Sequence, residues 1–136
     1  MVPYSPLARG VLTGKYQPGA APDPGSRIGR QDKRALQTEW RPESLQLAQT
    51  LAEHAAARGI TSAELVVAWV LNNRLVTACI GGPRTLEQWH SYRKALAYRF
   101  TQEDEALFDS LVAPGHPSTP GYSDPAYPVA GRVPRT

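Results

Sequence analysis

A single cysteine, Cys79, among 136 residues rules out an intrachain disulfide, and its apolar setting reads as a buried thiol without chemistry. No apolar run reaches 18 residues, and no basic n-region precedes a hydrophobic h-region, so neither a membrane span nor a signal peptide is read. A cytoplasmic location is the default expectation. The sequence also lacks H-E-x-x-H and C-x-x-C pairs and any Ser/His/Asp arrangement, which leaves metal and nucleophile chemistry without support. Of the three histidines, His54 and His90 read as exposed helix residues and His116 falls in the tail. Charge is not gathered into runs: 15 Lys and Arg against 12 Asp and Glu give a net charge of +3 and a pI near 9.2. Scattered cations give no support to a nucleic-acid partner, while a basic surplus equally suits a phosphorylated small molecule.

The most informative segment present is Ala78-Cys79-Ile80-Gly81-Gly82-Pro83-Arg84-Thr85-Leu86-Glu87-Gln88. It reads as a short buried strand running through glycine into a helix start, where free N–H groups carry about +0.5 elementary charge. Two glycines permit close approach, Arg84 brings a fork of donors, and Thr85 with Gln88 has capping-box spacing. Phosphate is the natural guest. The alternative is an ordinary strand-to-helix turn carrying a solvated arginine.

Elsewhere, residues 17–41 are rich in Pro, Gly and charge without an apolar period, and read as a long surface loop. Pro42 suits a first helical turn, with Leu45, Ala48, Ala52 and Ala55 at helical spacing up to Gly59. Thr61 and Glu64 form a second capping box before a helix whose buried stripe is Leu65, Ala68 and Trp69. Residues 75–80 suit a strand buried on both faces. Thr85 then opens a helix with Trp89, Tyr92 and Leu96 on its apolar side. Thr101 and Asp104 mark another helix start, with Leu107, Phe108 and Leu111 inward. From Pro114 the chain is Pro, Gly and Tyr rich and irregular.

Val2-Pro3-Tyr4-Ser5-Pro6-Leu7-Ala8-Arg9-Gly10-Val11-Leu12-Thr13-Gly14-Lys15-Tyr16, together with the Ile80 to Gln88 segment, resembles the aldo-keto reductases. In that family a Y-S-P-L-A-x-G-x-L-T-G-K-Y segment follows the seventh strand of a (β/α)8 barrel and an I-x-G-x-R-x-x-x-Q segment follows the eighth. The resemblance extends to Gly59-Ile60-Thr61, Ala68-Trp69 and the tail up to Arg132. The implied fold class is α/β, the C-terminal part of a (β/α)8 TIM barrel: residues 1–113 as a partial barrel with strands 7 and 8, and residues 114–136 as an irregular tail. A whole barrel takes ~250 residues, so the chain reads as the C-terminal portion of a longer protein. Two strands cannot make a self-sufficient parallel sheet, and apolar surface is expected to be exposed, with poor solubility or loose packing.

The resemblance implies NADP as cofactor, with Ser5, Leu7 and Gly10 along the pyrophosphate and Gly82, Arg84, Thr85 and Gln88 at the adenosine end. Arg84 beside Thr85 favours a 2′-phosphate. Ser26, Arg27 and Arg30 in the long loop are candidates to cover the phosphates. Tyr92 takes a place where the family often has asparagine near the adenine, and either stacks on the base or packs. Tyr122 and Tyr127 are candidates to line a substrate pocket. The family's catalytic Tyr, Lys, Asp and His belong to the first half of the barrel, and none can be placed here. The implied function is therefore the C-terminal part of an oxidoreductase that reduces a small-molecule aldehyde or ketone. Without a partner supplying the first six strands, no turnover is expected. The alternative is a non-catalytic nucleotide-binding or partner-binding remnant.

Overall fold

The computed structural model describes residues 1–113, 116–122, 124 and 126. In chain order a 3-10 segment, Ala8–Thr13, is followed by α1 (Lys33–Thr38), α2 (Pro42–Ala57), α3 (Ser62–Asn72), α4 (Leu86–Ala95) and α5 (Gln102–Leu111). The architecture is helical, and no named strand occurs among the described residues.

Local chemistry explains most helix boundaries. Pro42 occupies the first turn of α2, where its missing N–H costs no hydrogen bond. Gly59, at φ +69°, takes the left-handed conformation just beyond that helix. Thr61 accepts from the Glu64 N–H while the Glu64 side chain accepts from the Thr61 N–H, completing the capping box of α3. Thr101 and Asp104 do the same for α5. At α4 the box is displaced: Thr85 Oγ1 accepts from the Gln88 N–H at 3.2 Å, but Gln88 Oε1 accepts from the Arg84 N–H at 2.8 Å.

The two expected strands shrink to one parallel bridge, Tyr4 to Ile80. Around it the Ile80 N–H donates to the Pro3 carbonyl and the Thr77 N–H to the Met1 carbonyl, both at 2.9 Å. The Met1 ammonium donates to the Leu75 carbonyl at 2.8 Å. Residues 75–80 are accordingly not buried on both faces: Leu75 is 70% and Ile80 61% exposed, alongside exposed Met1, Val2 and Tyr4. A lone parallel pair has too few bonds and no layer on its faces to become a regular sheet. This is the apolar exposure that two strands without neighbours imply.

Two apolar clusters form the core. Val11, Tyr16, Ile28, Ala35 and Leu45 make the first, with the Trp40 ring edge-on to Tyr16 at 5.4 Å between centroids. Leu51, Ala55, Leu65 and Val66 make the second, covered by Phe100, Leu107, Phe108 and Leu111. Helix α3 packs on α2 and α4, and the 3-10 segment lies against α2 and α3.

Several sequence expectations need correction. The segment 17–41 contains α1, capped by Asp32, whose carboxylate accepts from the Ala35 N–H at 2.9 Å. A six-residue helix that buries only Ala35 and Thr38 leaves no readable period. Trp69 is exposed rather than part of the buried stripe, stacked on Phe108 with centroids 4.9 Å apart. Helix α3 is apolar around most of its circumference, so its pattern does not select one face. On α4 the inward residue is Ala95, while Trp89 and Leu96 are exposed and Tyr92 is half-buried. Cys79 is half-buried, outside any strand, and burial pushes its thiol pKa up. The described tail residues form no helix or strand, as expected, whereas Pro114 and residues 127–136 lie outside the described residues.

Candidate functional site

The wall nearest the N-terminus is a tightly wound loop. Ser5, Ala8 and Arg9 have φ of 55°, 45° and 54°, and Gly10 has 95°, a cluster of left-handed conformations that side-chain-bearing residues adopt only under constraint. The constraint is visible: the Ala8 N–H donates to the Ser5 carbonyl, the Gly10 N–H donates to the Leu7 carbonyl, and Thr13 Oγ1 donates to the Gly10 carbonyl at 2.8 Å. Ser62, the first residue of α3, donates its hydroxyl to the Leu12 carbonyl at 2.6 Å and ties the loop to the helices. Gly14, at φ +74°, lets the loop lie against α2; a Cβ there would stand 2.7 Å from that of Ala52.

The opposite wall is Ile80 to Arg84 and the first turns of α4. A Cβ on Gly81 would fall within 2.5–3.1 Å of three ring atoms of Tyr92, so only glycine lets that ring close on the backbone. Beyond its chain neighbours, no atom of the described residues lies within 4 Å of a Cβ on Gly82.

Between the walls runs an open cleft of about 340 Å³. Six of the seven residues expected from sequence line it: Ser5, Leu7, Gly10, Gly82, Arg84 and Gln88. The seventh, Thr85, stands just outside as the cap of α4. Lining cations are Arg9, Lys15, Arg27 and Arg84, and no Asp or Glu is among the lining residues. A concave wall of one charge sign concentrates anions.

These cations are held differently. Arg27 donates to Asp32 at 2.9 Å. With the Ala35 N–H foremost and Arg27 adding to it, the Asp32 carboxyl is held below its ordinary pKa. Arg9 approaches Glu39 only to 3.9 Å, and its buried Nε has no hydrogen-bond partner among the described residues. The Lys15 ammonium lies 4.9 Å from the Tyr16 ring centroid. The exposed Arg84 side chain makes no hydrogen bond or ion pair among the described residues.

Sequence reasoning misses Arg9 and Lys15. A usable signal is Gly14, since its left-handed turn leaves the Lys15 ammonium 3.5 Å from where a Gly10 Cβ would be. Of the loop candidates only Arg27 reaches the cleft. Ser26 is buried and accepts from the Gly29 N–H, and Arg30 is exposed away from the wall. Tyr122 lies beneath Arg41, with its ring centroid 4.1 Å from the guanidinium carbon, and does not line the cleft. Tyr127 falls outside the described residues.

A second polar cluster is not legible in the sequence. The fully buried Asp104 carboxylate accepts from His54 Nε2 at 2.6 Å and Arg58 Nε at 2.8 Å. It also accepts from the Tyr98 hydroxyl at 2.9 Å and the Thr101 N–H at 2.8 Å. Burial alone would raise its pKa, but the hydrogen bonds from His54, Thr101 and Tyr98 outweigh it and hold the group at about 2. Burial, reinforced by Asp104, pushes the Tyr98 phenol up. His54 is thus a partly buried bridging residue rather than an exposed one. The cluster lies outside the cleft wall and joins α2 to α5.

Sequence comparison fits this geometry. The Aldo/keto reductase family model matches residues 1–113. L-glyceraldehyde 3-phosphate reductase of Escherichia coli K12 is 32% identical over 121 residues, covering 84% of this chain and 34% of that protein. An uncharacterized oxidoreductase of Bacillus subtilis, YrpG, is 33% identical over 125 residues, 90% of this chain and 35% of its own length. A probable voltage-gated potassium channel subunit beta of Arabidopsis thaliana is 33% identical over 93 residues, 68% of this chain and 28% of its own. The chain spans about a third of the length of the curated relatives it matches. By the family match across its first 113 residues and the two loops facing each other over a cationic cleft, this chain belongs to the aldo/keto reductase family.

Proposed function

We propose that the chain is the C-terminal portion of an NADP-dependent aldo-keto reductase that reduces aldehydes or ketones. In this reading residues 1–113 are the part of a (β/α)8 barrel from strand 7 onward and residues 114–136 its tail. The observation that carries the reading is the cleft, where two loops far apart in sequence, together with Arg27, bring four cations and no carboxylate to its lining. That lining fits a dinucleotide carrying several phosphate charges.

The residues present suit binding rather than proton transfer. Ser5, Leu7 and Gly10 would hold the pyrophosphate with the adjoining cations. Gly82 leaves room for close approach, and Arg84, Thr85 and Gln88 would take the ribose phosphate at the start of α4. The unpaired Arg84 fork favours a 2′-phosphate, and hence NADP over NAD. When bound, the reduced cofactor supplies hydride to the carbonyl carbon. The proton donor belongs to another part of the protein in this reading, so these 136 residues bind cofactor without turning over substrate. One relative is named as a reductase of an aldehyde, L-glyceraldehyde 3-phosphate, which agrees with a carbonyl substrate.

The test is a fluorescence titration of the 136-residue chain with NADPH, using NADH and Arg84→Ala as controls. Saturable binding, preference for NADPH and weakening of tenfold or more by Arg84→Ala are expected, since a charge-assisted hydrogen bond contributes about 1.5–3 kcal/mol. Equal affinity for NADH would overturn the assignment to NADP. The exposed apolar group Met1, Val2, Leu75 and Ile80 favours a second reading, a non-catalytic nucleotide-binding or partner-binding remnant. A sharp thermal transition raised by NADPH, with no carbonyl reduction when the remaining barrel is supplied, would support it.

A further inference from the structure

We propose that this chain self-associates as a twofold dimer in which α4 of each copy lies in an apolar groove of the other, with Arg93 facing Asp109 across the contact. The proposal goes beyond the cofactor reading and does not depend on it.

Helix α4 supplies one half of the contact. Leu86, Trp89 and Leu96 are 70, 50 and 73% exposed, while Ala95 is the residue that the helix buries. At 3.6 residues per turn, positions 86, 89, 93 and 96 fall in one stripe. Exposed Arg93 therefore stands among three apolar side chains. Its guanidinium makes no hydrogen bond or ion pair among the described residues. Such a stripe is a face made for a partner rather than for water.

A groove of about 750 Å³ supplies the other half. Leu47 and Leu51 of α2, Trp69 and Val70 of α3, and Phe108 of α5 give it an apolar lining. Glu105 and Asp109 of α5 add carboxylates. Glu105 accepts from the Asn72 amide at 3.2 Å. The remaining charges of the groove are engaged: Arg41 by the hydroxyls of Ser118 and Thr119, Glu39 by the approach of Arg9, and the Met1 ammonium by the Leu75 carbonyl. Asp109 is exposed and makes no hydrogen bond or ion pair among the described residues. It is the acid left unanswered in the groove, as Arg93 is the base left unanswered on α4.

Charge and area commit the groove to a second copy. The chain carries its own complement, an apolar helix face with Arg93 and Lys94 in the last turn, and helices seat in apolar grooves by anchors at this spacing. Helix α3 packs on α4 and also lines the groove, so donor and receptor are separated by one element. A twofold axis can then seat both helices at once, each surface serving in both directions. A single helix in a groove covers about half of the roughly 800 Å² per copy that a stable interface needs, and the reciprocal pair reaches it. The Arg93–Asp109 pair sets the register of that contact more than its strength.

Sedimentation equilibrium of the 136-residue chain tests the proposal, and a monomer–dimer equilibrium with Kd on the order of 10 μM is expected. Trp89→Glu, at an exposed position, should raise Kd at least tenfold with circular dichroism matching the parent. Arg93→Glu and Asp109→Lys should each raise it about tenfold, because each brings like charges together. Both changes in one chain should return Kd to within about threefold of the parent, whereas residues that do not meet give additive losses. Additive losses overturn the proposal. A parent chain that stays monomeric at about 200 μM also overturns it and leaves both faces to another occupant, such as the rest of a barrel; NADPH binding by that monomer would keep the cofactor reading intact. Species that grow beyond the dimer with concentration overturn the twofold contact. A dimer lost in Leu75→Glu but kept in Trp89→Glu overturns it as well, by moving the contact to the open strand edge.

Discussion

His54 Nε2 donates to the Asp104 carboxylate at 2.6 Å across 50 positions of sequence, and this contact fastens the end of α2 to the first turn of α5. Arg58 Nη1 lies 3.4 Å from the other ring nitrogen of His54. A guanidinium can only donate, so that nitrogen accepts and Nε2 carries the proton. Asp104→Ala would leave His54 without its carboxylate and Arg58 with Glu103 alone, at 2.8 Å, at a cost of about 1.5–3 kcal/mol. Urea unfolding should show that loss as a lower midpoint, and a loss below about 1 kcal/mol would contradict the clamp.

The same carboxylate sets an acid limit. Its folded pKa of about 2 lies below the ordinary value of 3.8, so its contribution is full above the unfolded value and is lost as pH falls from about 4 to 2. The shift corresponds to stability on the order of 2 kcal/mol. Asp104→Asn should flatten the decline of stability across that window, measured by unfolding at stepped pH.

Gly14→Ala places a methyl 2.7 Å from Ala52 Cβ at φ +74°, combining overlap with a left-handed backbone. A cost above about 1 kcal/mol is expected. Weaker NADPH binding should accompany it, because the turn carries Lys15 to the cleft. A variant as stable as the parent would show that the loop is not held against α2.

Lys15→Glu combined with Arg27→Glu puts carboxylates into a wall whose charged residues are all cations. NADPH affinity should fall at least tenfold at low salt, and the parent's affinity should decline steeply with ionic strength. Salt-independent binding by the parent would argue that the ligand does not contact these charges.

Arg41 gathers the described tail: Nε donates to Thr119 Oγ1 at 2.7 Å, Nη2 to Ser118 Oγ at 3.3 Å, and Tyr122 lies under the guanidinium. Its side chain makes no cap on α2. Arg41→Ala should therefore speed amide exchange at residues 118–122 about tenfold with α2 unchanged. Equal exchange in both proteins would assign the tail's position to other contacts.

Sequence alone determined what depends on near neighbours. Thr61 with Glu64, Thr101 with Asp104, and Pro42 at a helix start are recognisable because a cap or a fixed φ acts within four residues. The two loop motifs were legible too, and six of the seven residues they offered line the cleft. Tertiary structure decided the rest. The strand expected at residues 75–80 had the right composition, but a parallel ladder needs neighbours and covered faces, and among the described residues only the Tyr4–Ile80 bridge forms. Helix α3 is apolar on nearly every side, so packing rather than period left Trp69 outside on Phe108. Asp104 read as a capping residue and is one, yet its burial with His54 and Arg58 depends on where α5 docks. No spacing along the chain encodes that, because groups 46 and 50 positions apart become partners only when their helices pack.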